Sequence, residues 1–231
     1  MQYDAILFDL DGVLVSGRET TPGIYRRATA SLLTAFGRPE VTTWTDSLQN
    51  PDSTTGFREA CERFGLPAEA AWAYRERAAT QLEIECIDLG VRSPFPDTTS
   101  MLLLADYYDI GIVSNNRHDI VAHCVESFEW GDPIDVYRGR YPLLEDFERL
   151  KPEPTFLEDV IDRLGVDDPL FIGDRASDIT VANRVGADAA LLTRPDKTRP
   201  TDVDPTYHIE SLSELVTLHE AGWKDTQAVA E

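Results

Sequence analysis

The chain changes its hydrophobic period twice, and the changes mark out its elements. Residues 3–8 form a short, unbroken apolar run, which predicts a buried strand rather than a helix. From Ile24 the spacing becomes helical: Ile24, Ala28, Leu32 and Phe36 share one face, Pro22 suits a first turn behind Thr20 or Thr21, and Gly37 and Pro39 stop the run. Residues 42–53 read as irregular. Ser53 or Thr54 caps a second helix running to Phe64, and an Ala-rich third helix spans 68 to about 84. The whole stretch 15–92 thus reads as helical, with no convincing strand.

Beyond Pro94 and Pro96 the strand period returns and alternates with helices. Helices are predicted over 97–105, 117–128, 153–164, 177–185 and 212–219; strands over 108–113, 134–138, 169–172, 188–193 and 207–209. Such alternation predicts an α/β fold, a parallel sheet covered by helices on both faces. The helical block falls between the first strand and all the others, so it reads as a cap inserted after that strand. The expected division is a core of 1–15 and 93–222, a helical cap of 16–92, and a frayed tail over 223–231.

Composition narrows the partners. The 42 acidic against 21 basic residues leave a net charge of −21, which repels nucleic acid and anionic membrane surfaces. Lysine occurs only at Lys151, Lys197 and Lys224; few lysines and many acids resemble the composition of halophile proteins. At about 1 M salt the Debye length is only about 3 Å, so a salt requirement for stability is predicted. No stretch approaches the roughly 20 apolar residues of a membrane span, and Met1 leads directly into strand-like sequence, which points to the cytoplasm. Cys61, Cys86 and Cys124 are widely spaced and odd in number, as expected of reduced thiols rather than a disulfide framework or a zinc site. Nothing here sets the oligomeric state.

Candidate chemistry gathers where predicted strands end. Asp9 and Asp11 follow the first strand, with Gly12 allowing a tight turn; ligands of open α/β sheets bind at this carboxyl edge. Alone, Asp11-Gly12 is equally a plain turn. Ser114-Asn115 ends the next strand, where a hydroxyl and backbone N–H groups before a helix make either a phosphate cradle or an ordinary cap. Lys151-Pro152 precedes a helix, and Lys151 can neutralise both a carboxylate and a phosphoryl oxygen. Gly173-Asp174 closes a further strand, with Asp178 four residues on and one helical turn away.

Together, Asp9-x-Asp11-Gly12-Val13-Leu14, Ser114-Asn115, Lys151-Pro152 and Gly173-Asp174-x-x-x-Asp178 resemble the haloacid-dehalogenase-like hydrolase superfamily, over about residues 3–193. The resemblance implies a Rossmann-like three-layer sandwich with a helical cap, and for most relatives a magnesium-dependent phosphatase like the phosphoglycolate phosphatases. It assigns Asp9 as nucleophile, forming an aspartyl-phosphate, and Asp11 as the acid that protonates the leaving alcohol and then activates water. It assigns Mg2+ to Asp9, the backbone carbonyl of Asp11 and Asp174, phosphoryl oxygens to Ser114 and Asn115, and a steadying role to Lys151, with Asp178 behind it orienting Lys151 or a metal-bound water.

Departures sharpen the expectation. Dehalogenating relatives lack the second acid, so Asp11 argues for phosphate esters. No lysine or histidine lies between Leu14 and Arg92, which argues against a Schiff-base phosphonate hydrolase and weakens a sugar phosphomutase, the main alternative. A second alternative is a binding or regulatory module that keeps the fold without turnover. The insert offers arginines instead, with Arg18 the favoured substrate contact. Residues 141–148 are bulky and acidic where relatives carry a short Gly-rich loop, which leaves the setting of Lys151 open. The expected partner is a small phosphorylated metabolite of unread identity.

Overall fold

The computed structural model describes residues 2–17, 20–39, 46–195 and 197–223. These form a six-stranded parallel sheet: β1 Ala5–Phe8, β2 Asp109–Arg117, β3 Val136–Arg140, β4 Pro169–Gly173, β5 Asp188–Leu192 and β6 Tyr207–Ile209, in the order β3-β2-β1-β4-β5-β6. That is the Rossmann order, whose direction of winding reverses beside β1 and leaves a crevice at the strands' carboxyl ends.

The strand pleat sorts the core into two layers. Ile6, Phe8, Ile110, Ile112, Leu170 and Ile172 face one side, where they pack on α5 (Thr99–Leu104), α6 (His118–Ser127) and α9 (Ser213–Glu220). Ala5, Leu7, Val113, Phe171, Ala189 and Leu191 face the other, against α7 (Thr155–Leu164) and α8 (Ala176–Val185). Alternate residues of a strand point to opposite faces, so apolar runs such as Ile6-Leu7-Phe8 fill both layers at once. The result is the expected three-layer α/β sandwich.

The helices α1 (Thr21–Ala35), α2 (Asp46–Gln49), α3 (Thr54–Arg63) and α4 (Ala68–Asp88) fall between β1 and β2. Ser53 caps α3 by accepting from Gly56 N at 3.1 Å, as its sequence suggested. The short helix α2 lies in a stretch that reads as irregular. The insert has its own core, built on Leu32, Phe57, Cys61 and Trp72. Residues 141–148 dock onto it: Leu144 joins that cluster, and Phe147 meets the Trp72 ring edge-on at 5.3 Å. Bulk that looked out of place in the sequence therefore fastens the insert to the sheet.

Several boundaries move for identifiable reasons. β2 continues to Arg117, because its pairing with β3 resumes at Arg117–Arg140 after an irregularity spanning 113–117; Ser114 and Asn115 lie in that irregular stretch rather than at a helix start. α7 begins at Thr155 rather than at 153, and the Lys151–Pro152 peptide before it is cis. α4 runs to Asp88 because Glu83 and Ile87 continue its buried face. Trp223 is buried against Tyr3 (ring centroids 4.9 Å apart) and donates to Tyr108 Oη at 2.9 Å, so the packed core extends one residue past the expected end at 222. The rest of the expected frayed tail, over 224–231, lies outside the described residues. Cys61, Cys86 and Cys124 are free thiols. No described helix is long and apolar enough to cross a membrane.

Candidate active site

At the carboxyl edge, beside β1, a cavity of about 160 Å³ is walled by Asp9, Asp11, Ser114, Lys151 and Asp178 from the sheet side and by Tyr25 and Glu83 from the insert. β1 ends at Phe8, and the chain then turns sharply through Gly12 at φ 91°. A side chain could not replace this glycine: a Cβ there would lie 2.3 Å from Asp174 Oδ2. The close approach lets the Asp174 carboxylate, delivered by the end of β4, lie over the first loop. Arg194, just past β5, holds the loop from beneath by donating to the carbonyls of Gly12 (3.2 Å) and Val13 (2.7 Å).

Lys151 occupies the buried centre. Its ammonium pairs with Asp9 Oδ1 (2.9 Å) and Asp178 Oδ1 (2.8 Å) and donates to the carbonyl of Val113 at 3.0 Å. Asn115 clamps the same residue through its peptide groups, accepting from Lys151 N at 2.7 Å and donating to Lys151 O at 3.1 Å. This clamp fixes Lys151 whatever the length of the preceding segment. Asp178 accepts from Arg175 N at 3.0 Å with its other oxygen, so both its oxygens serve to orient Lys151 and the start of α8.

Burial pushes the Asp9 carboxyl up from 3.8 to about 6; Lys151 pulls it down, but Asp178 and Asp11 add to the rise. Burial works to depress the Lys151 ammonium, yet Asp178 and Asp9 outweigh it and hold its pKa above the usual lysine value. One cation thus serves two buried carboxylates, and Asp178 has a full share of it. Because the folded value of Asp9 lies above its ordinary one, its ionisation costs the fold stability as pH rises through about 6.

Asp9, Asp174 and Asp178 bring one carboxylate oxygen each within 4.8 Å of one another. These are hard oxygen donors, suited to Mg2+. Burial makes Asp9 costly to ionise, and a cation held by its carboxylate and that of Asp174 would offset this cost. Asp178 spends its oxygens on Lys151 and Arg175, consistent with a place behind the direct ligands.

Of the residues singled out by sequence, Asp9, Asp11, Ser114, Asn115, Lys151 and Asp178 line one cavity, and an Asp174 oxygen lies within 4.8 Å of oxygens of Asp9 and Asp178. Arg18 lies outside the described residues. The Asn115 side-chain amide is engaged with Lys151, while the residue lines the cavity beside Ser114. Sequence reading missed a buried charge network on the insert side. Arg117 and Arg140 both donate to Tyr25 Oη, at 2.8 and 2.6 Å, Arg140 pairs with Glu76, and Arg117 pairs with Glu83. Glu76 and Glu83 stand seven residues apart on α4, two turns along one face, which is the one signal that marks them.

Burial would raise the Glu76 carboxyl, but Arg140, Arg75 and Arg117 hold it down at about 2. A depressed folded value means stability that is present above the ordinary 4.5 and lost as pH falls toward about 2. Denaturant melts at about pH 5.5 and about pH 3 are expected to show wild type losing about 2 kcal/mol more than Glu76→Gln. Equal losses in the two proteins would mean that Glu76 is not held ionised.

A Rossmann-ordered sheet with carboxylates and a lysine converging at its carboxyl edge defines an α/β enzyme with an acidic site. Residues 3–186 match the sequence profile of the haloacid dehalogenase-like hydrolases. The chain belongs to that family and is a hydrolase of the α/β class. No curated protein matches it. Among solved structures it is similar to CbbY from Rhodobacter sphaeroides in complex with phosphate (TM-score 0.66, 19% identity, 92% of this chain and 96% of that one). It is similar also to a HAD phosphatase from Thermococcus onnurineus (TM-score 0.59, 23% identity, 94% and 97%). A third is a predicted phosphoglycolate phosphatase from Haemophilus somnus (TM-score 0.62, 20% identity, 95% and 99%). At these identities the likeness is one of fold.

Proposed function

We propose that the protein is a magnesium-dependent phosphatase of a small phosphate monoester, with residues 16–92 as a cap over the site. The observation that carries this reading is the arrangement of Asp9. It is a buried carboxylate held by the Leu10 N–H (2.8 Å) and Lys151 (2.9 Å), at the floor of a cavity that also contains a second acid, Asp11. Solved neighbours named as phosphatases support it.

In this reading an Asp9 oxygen attacks phosphorus as the ester P–O bond breaks, giving an aspartyl-phosphate. Asp11 gives its proton to the departing alcohol oxygen and then takes one from the water that attacks phosphorus, which releases phosphate and restores Asp9. Lys151 fixes the orientation of Asp9 and offsets part of its charge. Ser114 Oγ accepts from Asn116 N at 3.1 Å, which leaves its O–H free to donate to a phosphoryl oxygen. Asp9, the carbonyl of Asp11 and Asp174 would hold Mg2+, which supplies the positive charge that lets a phosphate dianion approach so acidic a site. Arg18 remains the proposed substrate contact from the cap.

The cavity of about 160 Å³ suits a small leaving group, consistent with a phosphorylated metabolite rather than a macromolecule. Release of inorganic phosphate from p-nitrophenyl phosphate and from a panel of phosphorylated metabolites, with Mg2+ and again with excess EDTA, tests the reading. Turnover that disappears in EDTA and returns on adding Mg2+ is expected. No phosphate release under any condition, at low or molar salt, would contradict it.

A further inference from the structure

The chain crosses between sheet and insert twice, at 15–17 and at 91–94, and the crossings are clasped together. Ser16 N and Oγ each donate to Ser93 O at 2.9 Å, and Val15 bridges to Pro94. Gly17 is pressed against the second crossing so closely that a Cβ would lie 2.7 Å from Val91 O and 2.9 Å from Arg92 Cγ. Arg92 therefore sits in the clasp itself, and its side chain is only 1% exposed.

From there one guanidinium reaches three parts of the molecule. Nε donates to Ser16 O at 3.3 Å, one terminal nitrogen pairs with Glu83 on α4, and the other pairs with Asp11 Oδ1. Asn116 closes the circuit from the opposite side. Its amide donates to Asp11 Oδ2 at 2.9 Å and to Glu83 Oε1 at 2.8 Å. Asp11 and Glu83 are thus held in a ring by the same two residues, one at the crossing and one at the end of β2. Glu83 is anchored again by Arg117.

A salt bridge that merely joined insert to sheet would need only Arg92 and Glu83. The extra partner is a carboxylate on the cavity wall, with both of its oxygens fixed. Arg92 is shared between two acids, so Asp11 is steered by it without being neutralised one to one.

We propose that Arg92 is a positioning residue for Asp11: by bridging Glu83 of α4 to the loop after β1, it points the Asp11 carboxylate at the leaving group only while the insert is seated. The inference rests on the phosphatase reading in which Asp11 is the proton donor. It predicts that losing Arg92 harms esters in proportion to how much their leaving oxygen needs a proton. Dinitrophenolate leaves without one, phenolate does not.

The test measures kcat/KM, which reports phosphoryl transfer to Asp9, for 2,4-dinitrophenyl, p-nitrophenyl and phenyl phosphate. Wild type, Arg92→Gln, Arg92→Lys and Asn116→Ala are compared, each with a thermal melt. Arg92→Gln is expected to lose about 100-fold or more on phenyl phosphate but less than about 10-fold on the dinitrophenyl ester. Arg92→Lys keeps the charge but cannot bridge two acids in a fork, so it is expected to recover only part of the phenyl phosphate loss. Asn116→Ala is expected to show the same selective pattern more weakly, and it carries the test if Arg92→Gln does not fold. A loss equal across all three esters, in whichever of these variants fold, would overturn the assignment of Arg92 while leaving the phosphatase reading intact. A wild-type protein inert toward all three would overturn both.

Discussion

Asp9→Asn is expected to abolish phosphate release, lowering kcat by about 10⁴-fold or more, with a melting transition at least as high as that of wild type. An amide cannot form the acyl-phosphate, so no residual turnover of the same chemistry is available. Stability should survive because the lost charge is a costly one: Asp9 is buried, and its pKa is lifted to about 6 by that burial. Asn retains an oxygen for the Leu10 N–H and for Lys151, which keeps Asp178 as its partner at 2.8 Å. Parallel assays of phosphate release and thermal unfolding read both halves of this expectation. Retained activity would remove Asp9 from the chemistry. Lost activity with a collapsed melt would make its role structural.

Lys151→Met is expected to have the largest effect on stability. The substitution keeps the length of the side chain but leaves Asp9 and Asp178 facing each other with no cation between them. Breaking a buried ion pair from one side costs about 3–5 kcal/mol, because the remaining charge is uncompensated. Here two carboxylates are left, and urea melts at about pH 7.5 should show a loss in the upper part of that range. Adding Asp178→Asn should return part of the lost stability, since one of the stranded charges is removed, yet activity should stay absent. A single variant within about 1 kcal/mol of wild type would show that Lys151 does not hold the two acids together.

The residues on the sheet side of the site were legible because sequence and geometry share a rule there. Asp9, Ser114 and Asp174 each end a run whose apolar residues make it a buried strand, and parallel strands bring such ends to one edge. Lys151 and Asp178 open the segments that follow. The fold was legible for the same reason, since Ile6-Leu7-Phe8 and Leu170-Phe171-Ile172 can only be strands covered on both faces.

The insert side was not legible. Arg92 pairs with Asp11 across 81 positions, and Arg140 bonds Tyr25 across 115. No local period records such pairs, and an arginine bound for a buried network has the same letter as one bound for solvent. Arg75 illustrates this. It reads as one more surface charge on a helix, yet it is buried, paired with Glu76 at 2.7 Å and stacked 4.4 Å from the Trp72 ring. Residues 141–148 were misleading in the opposite sense: Leu144 and Phe147 looked like an obstacle to Lys151 and instead are the insert's apolar foothold on the sheet.

The central claim is that phosphate passes through Asp9, and trapping it there is the most direct measurement. Wild-type protein mixed with substrate and Mg2+ would be quenched in acid on the millisecond scale, reduced with borohydride to convert any acyl-phosphate to an alcohol, and mapped by peptide mass. The account predicts a single modified carboxylate, Asp9, appearing and decaying in step with turnover. Turnover with no modified carboxylate, or with the label on Asp11, Asp174 or Asp178 instead, would contradict it.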